Sequence, residues 1–130
     1  MSLTIVSIHN HGNANEEYIL LRADADVNIH KYMIADRTFK ENGDLSNVHR
    51  HTFRFPSYEV KEGEFVVLLT KEGKTRVGKM DSGEKAHVFF WGSKAAIWNE
   101  NDAEMAELLE VKSLETKKVA KRKLIARKSN

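Results

Sequence analysis

Thr52-Phe53-Arg54-Phe55-Pro56-Ser57-Tyr58-Glu59-Val60-Lys61-Glu62-Gly63-Glu64-Phe65-Val66-Val67-Leu68-Leu69-Thr70 carries two strand patterns separated by a proline and a turn. Phe53 and Phe55 alternate with Thr52 and Arg54, a period of two that puts both rings on one face of a β-strand. Pro56, the only proline, has no N–H for a sheet ladder and so marks the end of that strand. Lys61, Glu62 and Gly63 supply a turn. The run from Phe65 to Thr70 is the most apolar in the chain and predicts a central strand buried on both faces.

Working outward, the same period recurs. Toward the amino end, strands are predicted at Leu3 to Ile8, Glu17 to Ala23 and Ile29 to Ala35, separated by the polar segments HNHGNANE and DADVN. In the first, Leu3 and Ile5 face one way, Val6 and Ile8 the other; in the third, Tyr32 and Ile34 face one way, Ile29, Lys31 and Met33 the other. The stretch DRTFKENGDLSN, with Asn42, Gly43 and Asp44, reads as a loop. Toward the carboxyl end, KEGK opens a turn, a loop through Asp81, Ser82 and Gly83 reaches the aromatic strand HVFFW, and Trp91 and Trp98 bracket an irregular segment. Residues 100–124 have the propensity of a helix, but their apolar residues hold no helical face past Val111. Two antiparallel strands with a turn near Ser113 to Thr116 are predicted there. The fold class expected is therefore all-β, a sandwich of antiparallel strands.

The chain's 130 residues and 14.9 kDa suit one domain, expected to cover residues 1–126 with a basic tail at 127–130. Without cysteine there is no disulfide, thiolate nucleophile or sulfur-ligated zinc. Hydrophobic residues at 41% and charged residues at 31% argue for a globular domain over a disordered one. No run approaches the roughly 18 apolar residues of a membrane-spanning helix. The first residues carry no basic and apolar signal-peptide pattern, so a cytoplasmic location is the expectation.

Charge is segregated along the chain. Residues 1–111 hold 13 Lys and Arg against 18 Asp and Glu, a formal charge of -5, whereas residues 112–130 hold eight basic residues against Glu115 alone, a formal charge of +7. Lys117, Lys118, Lys121, Arg122, Lys123, Arg127 and Lys128 are thus candidate contacts for phosphates or another anionic surface. The competing reading is a solvated edge strand whose lysines prevent pairing with another chain. Strand alternation would put Lys121 and Lys123 on one face and Arg122 on the other, where it could pair with a carboxylate.

Features that could carry chemistry are sparse. His9/His11 and His49/His51 are His-x-His pairs, and alternate strand residues share a face, so each pair could present two imidazoles to one metal, with Asp44 a possible further ligand. Ordinary surface histidines are the competing reading, and no metal or cofactor is expected. Asp24/Asp26 and Asp102/Glu104 are carboxylate pairs at turn or strand-start positions where acidic residues are common. No phosphate loop, nucleophile elbow, dinucleotide fingerprint or HExxH motif occurs. Trp91 and Phe89 share a face and read as core, with a ligand-stacking platform of Trp91 and Trp98 as the alternative.

Several of these segments, in this order, resemble the lamin-tail domain, the immunoglobulin-like β-sandwich at the carboxyl end of nuclear lamins and in assorted bacterial proteins. Glu17-Tyr18-Ile19-Leu20-Leu21 resembles its opening strand, and Val27 to Asp36 the next, with Tyr32 where a tryptophan is usual. Thr52 to Pro56 followed by Val60 to Val67 is similar to the family's aromatic-x-Phe-Pro, spacer, Gly and valine-rich strand. Ile97-Trp98-Asn99 and Asp102 follow, and Val119-Ala120-Lys121-Arg122-Lys123-Leu124 resembles the last strand of nuclear lamin tails. Ala23, Lys31 and Asn101 depart from it. The resemblance implies a non-catalytic interaction module, stand-alone or excised and of bacterial type, that binds a protein or nucleic-acid partner through the basic carboxyl-terminal strand. As a further departure from the lamins, no heptad pattern persists that could form a coiled-coil rod, so this chain is not expected to build a filament as a lamin does. Two other readings stay open: a metal-dependent hydrolase using the His-x-His pairs, and an assembly domain pairing through an edge strand.

Overall fold

A computed structural model of the chain describes residues 1–39, 42–98 and 105–120. Their strands are β1 (Leu3–His9), β2 (Tyr18–Ala23), β3 (Val27–Asn28), β4 (Tyr32–Phe39), β5 (Leu45–Arg54), β6 (Glu59–Val60), β7 (Phe65–Leu69), β8 (Arg76–Lys79), β9 (Lys85–Phe90) and β10 (Met105–Glu110). A five-stranded sheet runs β1-β2-β7-β9-β8, a three-stranded sheet runs β10-β4-β5, and β3 pairs with β6. All pairs are antiparallel except β7 with β9. That exception has a topological cause. The chain leaves β7, passes the neighbouring position to make β8 at the sheet edge, and returns through a hairpin to fill the gap as β9.

The inner faces of the two larger sheets form one core, as expected of an all-β sandwich. Leu3, Ile19, Leu21, Val66, Leu68 and Phe89 of the large sheet meet Tyr32 and Ile34 of the small one, with Phe55 alongside, all buried. Each such side chain contributes about 1.5 to 3 kcal/mol. Aromatic rings run through this core in sequence: Trp98 to Trp91, Trp91 to Phe53, Phe53 to Phe55, Phe55 to Phe89, Phe89 to Tyr58 and Tyr58 to His87, with centroids 5.0 to 5.9 Å apart. The stacking-platform alternative for the tryptophans gives way to packing, since Trp98 is 3% exposed and Trp91 lies edge-on against it. Gly63 at φ +84° makes the turn before β7, donating its N–H to the Ala23 carbonyl at 2.9 Å.

Five expectations change. Residues 29–31 form a single 3-10 turn rather than strand, because the Asn28 side chain accepts from the His30 N–H and caps it. The predicted loop after Ala35 is largely strand, since β4 runs to Phe39 and β5 starts at Leu45. A bulge at Val6 turns Ile8 inward, so it pairs with Ile19 on the same side as Ile5. β7 is central, yet only Val66 and Leu68 are sealed, while Phe65, Val67 and Leu69 are half-buried on the outer face. At the carboxyl end the first of the two predicted strands forms as β10, but residues 111–120 form no strand, and 121–124 lie outside the described residues.

Candidate interaction surfaces

The basic end is anchored where β10 stops. Val111 donates its N–H to the Lys31 carbonyl at 2.7 Å, and from Lys112 to Ala120 every residue is exposed. Lys117 and Lys118 stand in this exposed segment, and neither they nor Lys112 has an ion-pair partner among the described residues. Lys121, Arg122, Lys123, Arg127 and Lys128 lie outside the described residues. An edge strand of lysines is not formed as far as Ala120.

The His-x-His pairs do not converge. Opposite β4, the strand β5 carries an extra residue between Thr52, which pairs with Ala35, and His49, which pairs with Arg37. This bulge undoes the alternation that a metal site would need, and sends His49 and His51 to different faces. His49 Nε2 lies 2.7 Å from Glu107 Oε1 on the outer face, beside Arg37, whose Nη1 donates to Glu107 Oε2 at 2.9 Å. Burial raises the Glu107 carboxyl, but hydrogen bonds from Arg37 and His49 outweigh it and hold the group below its ordinary value. His51, its side chain 45% exposed, places Nδ1 2.9 Å from Oδ2 of the buried Asp36, and Asp36 Oδ1 also accepts the Arg50 and His51 backbone N–H groups, which pins the bulge. His9 lies 2.7 Å from Ser7 Oγ and stacks on Tyr18, while His11 is exposed in the following loop. Asp44 accepts from Asn42, and no group of three or more potential metal ligands occurs among the described residues. Asp24 pairs with Arg22, Asp26 accepts from the Glu62 N–H, and Asp102/Glu104 lie outside the described residues.

Two polar clusters had no motif to announce them. Glu17 is fully buried, and its carboxylate accepts from the N–H groups of Gly12, Ile97 and Trp98 and from the Thr70 hydroxyl, at 2.6 to 3.2 Å. It ties the first loop, the end of β7 and the segment after β9 together. His87, 6% exposed, bridges the Tyr58 hydroxyl at 2.7 Å and Glu64 Oε1 at 2.9 Å. The Lys61 N–H, then His87, hold Glu64 below its ordinary value against the opposing push of burial. The one signal was a histidine at an inward position of HVFFW.

The remaining feature is a pocket on the outer face of the five-stranded sheet. Its volume is about 320 Å³, and its floor is Leu20 of β2, Val67 and Leu69 of β7, and Ala86 and Val88 of β9, with Tyr18 at one side. Arg76, Gly78 and Lys79 of β8, with Met80, form the other side. Neither Arg76 nor Lys79 has an ion pair among the described residues. The chain matches no family model, no curated protein and no solved structure. Its function is therefore argued from these surfaces: a basic end projecting from β10 and an apolar face edged with cations.

Proposed function

We propose that this chain is a non-catalytic interaction module of lamin-tail type, an immunoglobulin-like sandwich that binds a protein or nucleic-acid partner with its basic carboxyl-terminal end as the contact. One observation carries the reading. The chain beyond Val111 leaves the sheet and opens a run of eight basic residues whose described lysines are exposed and paired with nothing described. Lysines held this way keep their charge available for phosphates, whose neutralisation releases counterions. Support for the family comes from the quoted segments in their order, and from Tyr32, buried where the resemblance has an aromatic residue. Further support comes from the histidines, since His9, His30, His49, His51 and His87 each have a hydrogen-bonding partner within the fold.

The test is a fluorescence-anisotropy titration of labelled duplex DNA at about 50 and 200 mM salt. A companion variant carries Lys117, Lys118, Lys121, Lys123, Arg127 and Lys128 each changed to Gln. Binding that weakens steeply with salt and disappears in the variant is the expected result. Absence of binding at the lower salt, or binding that the variant retains, would contradict the role given to the basic end.

A further inference from the structure

The outer face of an antiparallel sandwich sheet usually carries polar side chains, because it meets water. Here the outward positions of three adjacent strands that floor the pocket are Leu20, Val67, Leu69, Ala86 and Val88, with Arg22 and Phe65 farther along the same face. Ala86 and Val88 are 5% and 4% exposed although they point away from the core. Part of their cover comes from β8. Arg76 is opposite Val88 and Gly78 opposite Ala86, and the Arg76 guanidinium lies 3.5 Å from where a Cβ on Gly78 would stand. With no side chain at Gly78, this wall stays low and the cation leans over the apolar floor.

We infer that this pocket binds an acidic peptide segment of a protein partner, its aliphatic side chains on the Leu20, Val67, Leu69 and Val88 floor and a carboxylate on Arg76, with Lys79 at the rim. The site is separate from the basic end. Its volume of about 320 Å³ lies at the lower limit for ligand pockets, enough for one or two side chains of an extended segment. Arg76, on the same face as Val88 and with no carboxylate partner among the described residues, supplies the charge complementarity, and Lys79 lines the rim one residue past Gly78; such complementarity acts on orientation and association rate as well as affinity. A nucleic acid fits poorly, because the floor offers aliphatic carbon and its one aromatic, Tyr18, is already stacked on His9 with centroids 4.6 Å apart. A second copy docked face to face would bring two unpaired cationic rims together.

The probe is a soluble octapeptide of alternating aspartate and leucine, titrated to about 1 mM into the labelled protein and read by amide NMR shifts. Controls are the lysine-leucine and aspartate-serine octapeptides. Shifts confined to Leu20, Val67, Leu69 and Val88 and their neighbours are expected with the aspartate-leucine peptide alone. The double variant Arg76→Glu with Lys79→Glu should weaken binding at least about tenfold, since both residues are exposed and the fold does not depend on them. The inference is overturned by any of six results: no shifts, equal binding of the lysine-leucine peptide, equal binding of the aspartate-serine peptide, undiminished binding by the double variant, the same shifts on protein concentration alone, or the same shifts on DNA addition alone. The last two arms separate a second copy and a nucleic acid from the acidic peptide.

Discussion

The two outer faces of the sandwich use charge in opposite ways. On the three-stranded sheet, Arg37, Glu107 and His49 satisfy one another, and their side chains are only 19%, 24% and 32% exposed. On the five-stranded sheet, Arg76 and Lys79 are exposed over an apolar floor with no carboxylate partner among the described residues. Half-buried charges with partners hold the sheet together, whereas exposed charges without partners hold nothing and stay available to a visitor. The comparison teaches where to look for binding: at the face whose cations the fold does not consume.

The largest effect is expected beneath the closed face. Asp36→Ala leaves two backbone N–H groups and His51 without their acceptor, and an expected loss of about 3 kcal/mol would show in urea unfolding. A loss under about 0.5 kcal/mol would mean the bulge does not depend on the carboxylate. Glu107→Gln on the closed face removes the charge between Arg37 and His49, with an expected cost of about 1 kcal/mol by the same measurement.

Acid sharpens the contrast further. The folded Glu107 carboxyl is held below its ordinary value, so its contribution is complete above the unfolded value near about 4.3 and is lost as pH falls through the folded value. The difference in Tm between the wild type and Glu107→Gln should therefore shrink from pH 7 to pH 3. A difference that stays constant would count against the pairing. The smallest effect belongs to the open face, where Arg76→Gln should change stability by less than about 0.5 kcal/mol.

Much of the fold was legible because period-two alternation survives wherever one strand face is sealed. Phe53, Phe55, Tyr32 and Ile34 point where alternation puts them, and Ile19 and Leu21 face the core while Leu20 faces out. Alternation fails where a residue is inserted, and bulges at Val6 and between His49 and Thr52 have no local signature in this sequence. Plain alternation therefore puts Ile8 on the outer side and His49 and His51 on a shared one, where the structure does neither. β8 was missed because Arg76, Gly78 and Lys79 are polar or small, as an edge strand with solvent on one side tolerates. The candidate surfaces were half legible. The basic end is plain in the charge count, but the pocket was hidden because five apolar residues from Phe65 to Leu69 look the same whether one or both strand faces are covered.

Thermal unfolding of two variants side by side distinguishes a face that spends its charge on stability from one that keeps it free. Arg37→Gln should lower Tm by about 4 °C or more, because it removes the Glu107 pair and the hydrogen bond from its Nε to the Ser46 carbonyl at 2.7 Å. The double variant Arg76→Gln with Lys79→Gln should leave Tm within about 1 °C of the wild type. Equal losses in the two variants, or a larger loss on the five-stranded face, would contradict the account.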